Sequence, residues 1–175
     1  MRTIASQWFE VKVRYDKITD DGTPKPITEQ YVVDALTFTE AESIITEEMS
    51  VYISGEFNIN GIKPASFKEI FFSDLNNDDR WFKAKLQFIT FDEKTQKEKR
   101  SAVNYLVQAH TLPQAVNYIN EVMGKTMNDY VISNIAETNI LEAHAHYKRR
   151  RKKCRPHKLL ENPEYGSPET AKTTW

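Results

Sequence analysis

Two stretches of the chain alternate apolar and polar side chains with a period of two. In the first, Phe9, Val11, Val13 and Tyr15 share one face of an extended segment, with Trp8, Glu10, Lys12 and Arg14 on the other. In the second, Phe82, Ala84, Leu86 and Phe88 share a face opposite Trp81, Lys83, Lys85 and Gln87. Each opens with Trp-Phe. Each is followed by a polar turn, "TDDGTPKP" or "DEKTQKEK", and then by a second apolar stretch over residues 29–36 or 102–110. Strand, turn and strand predict a β-hairpin in both places.

The period then becomes helical. "TFTEAESIITEEM" places Thr37 three residues before Glu40 and Thr39 three before Glu42, while "TLPQAVNYINEVM" places Thr111 three before Gln114, with Pro113 in the first turn. These are capping-box spacings, in which a hydroxyl accepts from the amide three residues on. Ala41, Ile44, Ile45 and Met49 line one face of the first helix, and Ala115, Ile119, Val122 and Met123 one face of the second. After each helix the pattern returns to extended. "EFNINGIKPASFKEIFFSD" is broken at Asn60-Gly61 and Pro64, whereas "DYVISNIAETNILEAHAHY" carries neither Gly nor Pro. Each predicts one long bent strand or two short ones.

The order of these patterns repeats. An offset of 73 lays Trp8 on Trp81, Phe9 on Phe82 and Lys12 on Lys85; an offset of 74 lays Tyr31 on Tyr105, Val33 on Val107 and Thr37 on Thr111. The offset returns to 73 for Ile59 on Ile132 and Glu69 on Glu142. A period this long describes two copies of a small unit and not a solenoid. The expected fold is therefore α+β. It consists of two tandem ββαβ-type repeats, 5–75 and 79–147, that form antiparallel sheet with one helix per repeat, both helices on one side. Residues 148–175 lack periodicity and are expected to be a flexible, basic tail.

Charge changes this picture. The 175 residues carry a formal net charge of −1, but residues 148–158, "KRRRKKCRPHK", hold eight Lys or Arg. Up to Tyr147 there are 15 basic and 22 acidic residues, a net of −7. An acidic body thus precedes a strongly basic segment. The opening "MRTIASQWFE" lacks the apolar core of a signal peptide, and the single Cys154 leaves no internal disulfide framework. A cytoplasmic protein is expected.

The phrases "WFEVKVRYDK", "YVVDALTFTEAESII", "YISGEF", "DDRWFKAKLQFITFDEKTQKEK" and "YLVQAHTLPQAV" resemble an uncharacterised protein family of Bacteroidetes and their phages. The resemblance implies an origin among mobile elements and supplies no activity or site residues. The strand-then-helix order from Phe57 onward is also similar in topology to Whirly-type single-stranded-DNA-binding proteins.

Four groups of residues are candidates for function. Trp8, Lys12, Arg14, Trp81, Lys83 and Lys85 fall on the polar strand faces, where tryptophan beside cations suits base stacking and phosphate contact. The alternative is that each tryptophan covers a helix edge or the other copy. Lys148, Arg149, Arg150, Arg151, Lys152, Lys153 and Arg155 suit salt-sensitive contact with a polyanion. His144 and His146, with Cys154 and His157, lack the spacing of a zinc site. The loop "SDLNNDDR" lacks the Gly and terminal Glu of an EF-hand and reads as a solvated turn. No nucleophile elbow, P-loop, metalloprotease or dinucleotide motif occurs. No cofactor, metal or membrane partner is expected, and self-association is left open. The expected function is non-enzymatic binding of nucleic acid, favouring single-stranded DNA, in replication, recombination or repair of a bacterium or phage. The rival is a phage or mobile-element structural or assembly protein acting through protein contacts.

Overall fold

A computed structural model describes residues 2–5, 7–94 and 96–145. The basic tail, with His146, Cys154 and His157, lies outside them. The fold is mixed α+β, mostly strand, with both expected hairpins and both expected helices.

A short strand β1 (Arg2–Ala5) precedes the first hairpin, β2 (Trp8–Ile18) and β3 (Pro24–Asp34). β3 runs five residues further back into the turn than the apolar pattern indicates. Pro24 and Pro26 are tolerated because β3 pairs with a second neighbour only from Gln30 to Val33, so that edge needs no amide at either proline. Gly22 turns the chain with a φ of 74°. Helix α1 (Phe38–Tyr52) follows, then β4 (Phe57–Pro64) and β5 (Glu69–Phe72). The second half repeats the order as β6 (Arg80–Asp92), β7 (Lys97–Ala109), α2 (Leu112–Met123), β8 (Asp129–Glu137) and β9 (Ile140–His144).

The helices start where their caps dictate. Thr37 accepts from the Glu40 amide at 3.2 Å, and the Glu40 carboxylate reaches back to the Leu36 amide at 2.8 Å. Thr111 accepts from the Gln114 amide at 3.4 Å, and the Gln114 side-chain oxygen accepts from the His110 amide at 3.2 Å. Orphan amide groups at both N-termini are thereby satisfied. Of the two cap spacings in the first helix, Thr37 is the one used.

The sheets depart from the expected single antiparallel layer. One sheet has the order β4-β2-β3-β9 and the other β1-β5-β7-β6-β8. Each post-helix segment breaks into two strands, and the two go to different sheets. β5, from the first half, lies parallel to β7, with Glu69 beside Tyr105; β9, from the second half, lies parallel to β3, with Glu142 beside Tyr31. Each half thus completes the other's sheet. Both sheets carry a register shift at a matching place, between Lys12 and Val13 opposite β4 and between Lys85 and Leu86 opposite β8.

The described residues form three apolar cores. Phe9, Val11, Val13, Tyr31 and Val33 pack under α1 through Ala41, Ile44, Ile45 and Met49. Phe82, Ala84, Leu86, Tyr105 and Val107 pack under α2 through Ala115, Ile119 and Met123, with Val122 partly buried. The third core joins the opposite faces of the two sheets, with Trp8 and Val32 from one against Ile70, Phe72, Trp81 and Leu106 from the other. The helices therefore lie on the two outer faces of a helix–sheet–sheet–helix stack, not on one side. Among the described residues no helix is long and apolar enough to cross a membrane.

Candidate nucleic-acid interface

The polar strand faces are the faces turned away from the helices. At the end where the sheets meet, they are core. Trp8 is 2% exposed and Trp81 3%. Trp8 packs on Phe72 with ring centroids 6.3 Å apart, and Trp81 meets the same ring edge-on at 5.7 Å. The Trp81 indole N–H donates to the Leu141 carbonyl at 3.3 Å, joining the sheets. The expected tryptophan stacking surface is therefore corrected. Each indole is buried between the two facing sheets, because an apolar ring at their convergent end gains more from burial than from solvent.

Glu10, expected to face outward, is also buried. Its carboxylate accepts from Lys63 at 2.7 Å and from the Gln30 side chain at 3.2 Å. Lys83, at the matching place in β6, is half-buried, and its ammonium donates to the Ser66 hydroxyl.

Further along the strands the faces open to solvent. Lys12, Arg14 and Lys85 are exposed, and none makes an ion pair among the described residues. Their cross-strand neighbours are neutral. Lys12 lies between Gln30 and Gly61, Arg14 between Thr28 and Asn58, and Lys85 between Asn104 and Asn134. Four of those six neighbours carry amides that both donate and accept hydrogen bonds. The strand registers assign six basic residues to these faces (Lys12, Arg14, Lys63, Lys83, Lys85, Arg100) and five acidic ones (Glu10, Asp16, Asp34, Glu98, Asp129). The remainder of residues 1–147 holds nine basic and seventeen acidic residues. Cations are thus concentrated on the helix-free faces of an otherwise acidic body.

The acidic loop is not simply solvated. Asp78 is 3% exposed, and its carboxylate accepts from the Ser73 hydroxyl, from the Tyr118 hydroxyl at 2.8 Å and from the Gln114 amide at 3.4 Å. Gln108 closes the ring by donating to the Asp78 carbonyl at 2.8 Å and accepting from the Ser73 amide at 3.2 Å. Nothing in "SDLNNDDR" distinguishes Asp78 from Asp74 or Asp79; its partners beyond Ser73 come from β7 and α2. Asp78→Ala should lower unfolding stability in urea by about 2–4 kcal/mol, since it strands several buried donors. Asp79, by contrast, is exposed and 3.3 Å from the His110 ring, which holds its carboxyl below the usual range.

On the α1 side, Glu29 accepts from Tyr15 at 3.1 Å and from Tyr31 at 2.7 Å. Burial first, then the bond to Glu29, pushes both phenols above their usual range, so both stay protonated donors at neutral pH. Among the described residues no three His, Cys, Asp or Glu side chains gather in a way that could hold a metal ion. His144 stacks near Tyr31, with ring centroids 6.1 Å apart.

No curated protein and no solved structure matches the chain. A family model does, over residues 7–147, the same span that contains both halves and the exchanged strands. The chain belongs to that family, described as a domain of unknown function, DUF4494.

Proposed function

We propose that the chain is a non-enzymatic nucleic-acid-binding protein that favours single-stranded DNA and arose by tandem duplication of a ββαβ unit. The observation that carries this reading is the set of exposed cations Lys12, Arg14 and Lys85, which make no ion pair among the described residues, stand at related positions of two hairpins and are flanked by neutral side chains. Unpaired cations release counterions when they meet phosphates, and the flanking amides can bond to unpaired base edges. Half-buried Lys83 lies at the rim of this surface. The basic residues from Lys148 to Arg155 add sequence-independent attraction. The acidic helix-bearing surface turns a strand of phosphates toward the helix-free faces.

Fluorescence anisotropy with a labelled single-stranded oligonucleotide at several salt concentrations tests this. Combined Lys12→Ala, Arg14→Ala and Lys85→Ala should weaken binding about 100-fold at 0.1 M salt and flatten the salt slope by about 2. A chain that binds equally well with those three substitutions, yet fails with Arg149→Gln, Arg150→Gln and Arg151→Gln, would reduce the activity to tail electrostatics. No saturable binding at low salt would remove the reading in favour of an assembly role through protein contacts.

A further inference from the structure

With both tryptophans buried, the helix-free faces need another group to meet a base. The alternation of β6 continues past the point where the sheets separate. Trp81, Lys83, Lys85, Gln87, Ile89 and Phe91 all lie on one face, because pairing with β7 is continuous from Arg80 to Asp92. Phe91 is 65% exposed, although it stands on a strand. Ile89 lies beside it on that face, and Val131, opposite Gln87, is 49% exposed. Arg100 stands opposite Ile89 and diagonal to Phe91, within reach of the ring. The matching residue in the first half is Ile18, 75% exposed and aliphatic, so only the second hairpin offers an aromatic ring here.

The charges along the stripe are ordered. Lys85 has Asn104 and Asn134 at its sides, while the Phe91 end holds Glu98 and Asp129 against Arg100, whose guanidinium lies 4.0 Å from the Glu98 carboxylate. Phosphate is therefore drawn toward Lys85, and an uncharged ring toward Phe91. The two residues are about 20 Å apart along the strand, long enough for several unstacked nucleotides.

Resting on the nucleic-acid reading above, we infer that Phe91 is a base-stacking residue of a single-strand site that runs along β6 from Lys85, with Arg100 beside the stacked base. The ligand class is an unpaired nucleobase in a short single-stranded segment. A duplex, whose bases already stack on one another, gains nothing from this ring.

The test uses the full chain and a labelled single-stranded oligonucleotide, with its duplex as a second probe. Phe91→Ala should weaken single-strand binding roughly 5- to 150-fold without changing the salt slope. Duplex binding and the urea midpoint should stay unchanged. Phe91→Trp should retain affinity, and its added fluorescence should be quenched by the single strand. If Phe91→Ala binds the single strand like the parent while the triple cation variant does not, the stacking inference is overturned and the wider reading stands. If the parent binds no nucleic acid, both fall. Concentration-dependent dimerisation in sedimentation, abolished by Phe91→Ala with single-strand affinity unaltered, would assign the stripe to a second copy and overturn the inference.

Discussion

Residues 1–75 and 76–175, produced as separate polypeptides, should each lack a cooperative fold, and should fold together when mixed in equal amounts. The reason is the exchange of β5 and β9. Alone, the first half keeps the β2–β3 hairpin, α1 and β4, but its β5 has lost β7 and its β3 has lost β9. The β3 edge from Gln30 to Val33 would present unpaired backbone groups. The inter-sheet core would be cut as well, exposing Trp8, Val32, Phe67, Ile70 and Phe72 together. At about 25 cal/mol per Å² of apolar surface, exposing several such side chains outweighs the few kcal/mol that a small unit holds in reserve. Circular dichroism and size exclusion on each fragment and on the mixture read the outcome directly. A sigmoidal urea transition from either fragment alone would contradict the expectation.

The second large effect is expected at Trp81. Trp81→Ala should cost about 3–5 kcal/mol in urea denaturation, the range for deleting a buried aromatic side chain. It removes the ring against Phe72 and strands the Leu141 carbonyl that bridges to the other sheet. Phenylalanine separates the two contributions. Trp81→Phe keeps an aromatic ring but loses the indole donor, and should still cost about 1–3 kcal/mol. The Trp8 indole nitrogen makes no hydrogen bond among the described residues. Trp8→Phe should therefore cost less than Trp81→Phe, although the two rings are equally buried. Equal losses at the two sites would mean that the Trp81–Leu141 bond contributes nothing net.

The local pattern made much of this fold legible. Hairpins and helices were readable because each buries one face against a neighbouring layer, which forces a period of two or of 3.6 on its apolar residues. Ala41, Ile44, Ile45 and Met49, and likewise Ala115, Ile119 and Met123, are the buried helix positions their spacing indicates. The caps at Thr37 and Thr111 follow from chemistry within four residues. The candidate site was half legible. Lys12, Arg14 and Lys85 are exposed on the expected face, but Trp8 and Glu10, on that same face, are not.

The α+β class, the order of elements, the helix starts and the face of each hairpin that lies beneath a helix can all be read from the chain's own pattern. All of these depend on residues close together in the chain. The exchange of β5 and β9, the placing of the helices on opposite faces and the burial of one end of each polar strand face arise only when the two sheets pack together. Alternation reports which residues share a face but not what covers that face along its length. Cover came here from the facing sheet, which strands of both halves build. It buries Trp8 and Trp81 at the end where the sheets meet and leaves Lys12, Arg14, Lys85 and Phe91 in solvent beyond it.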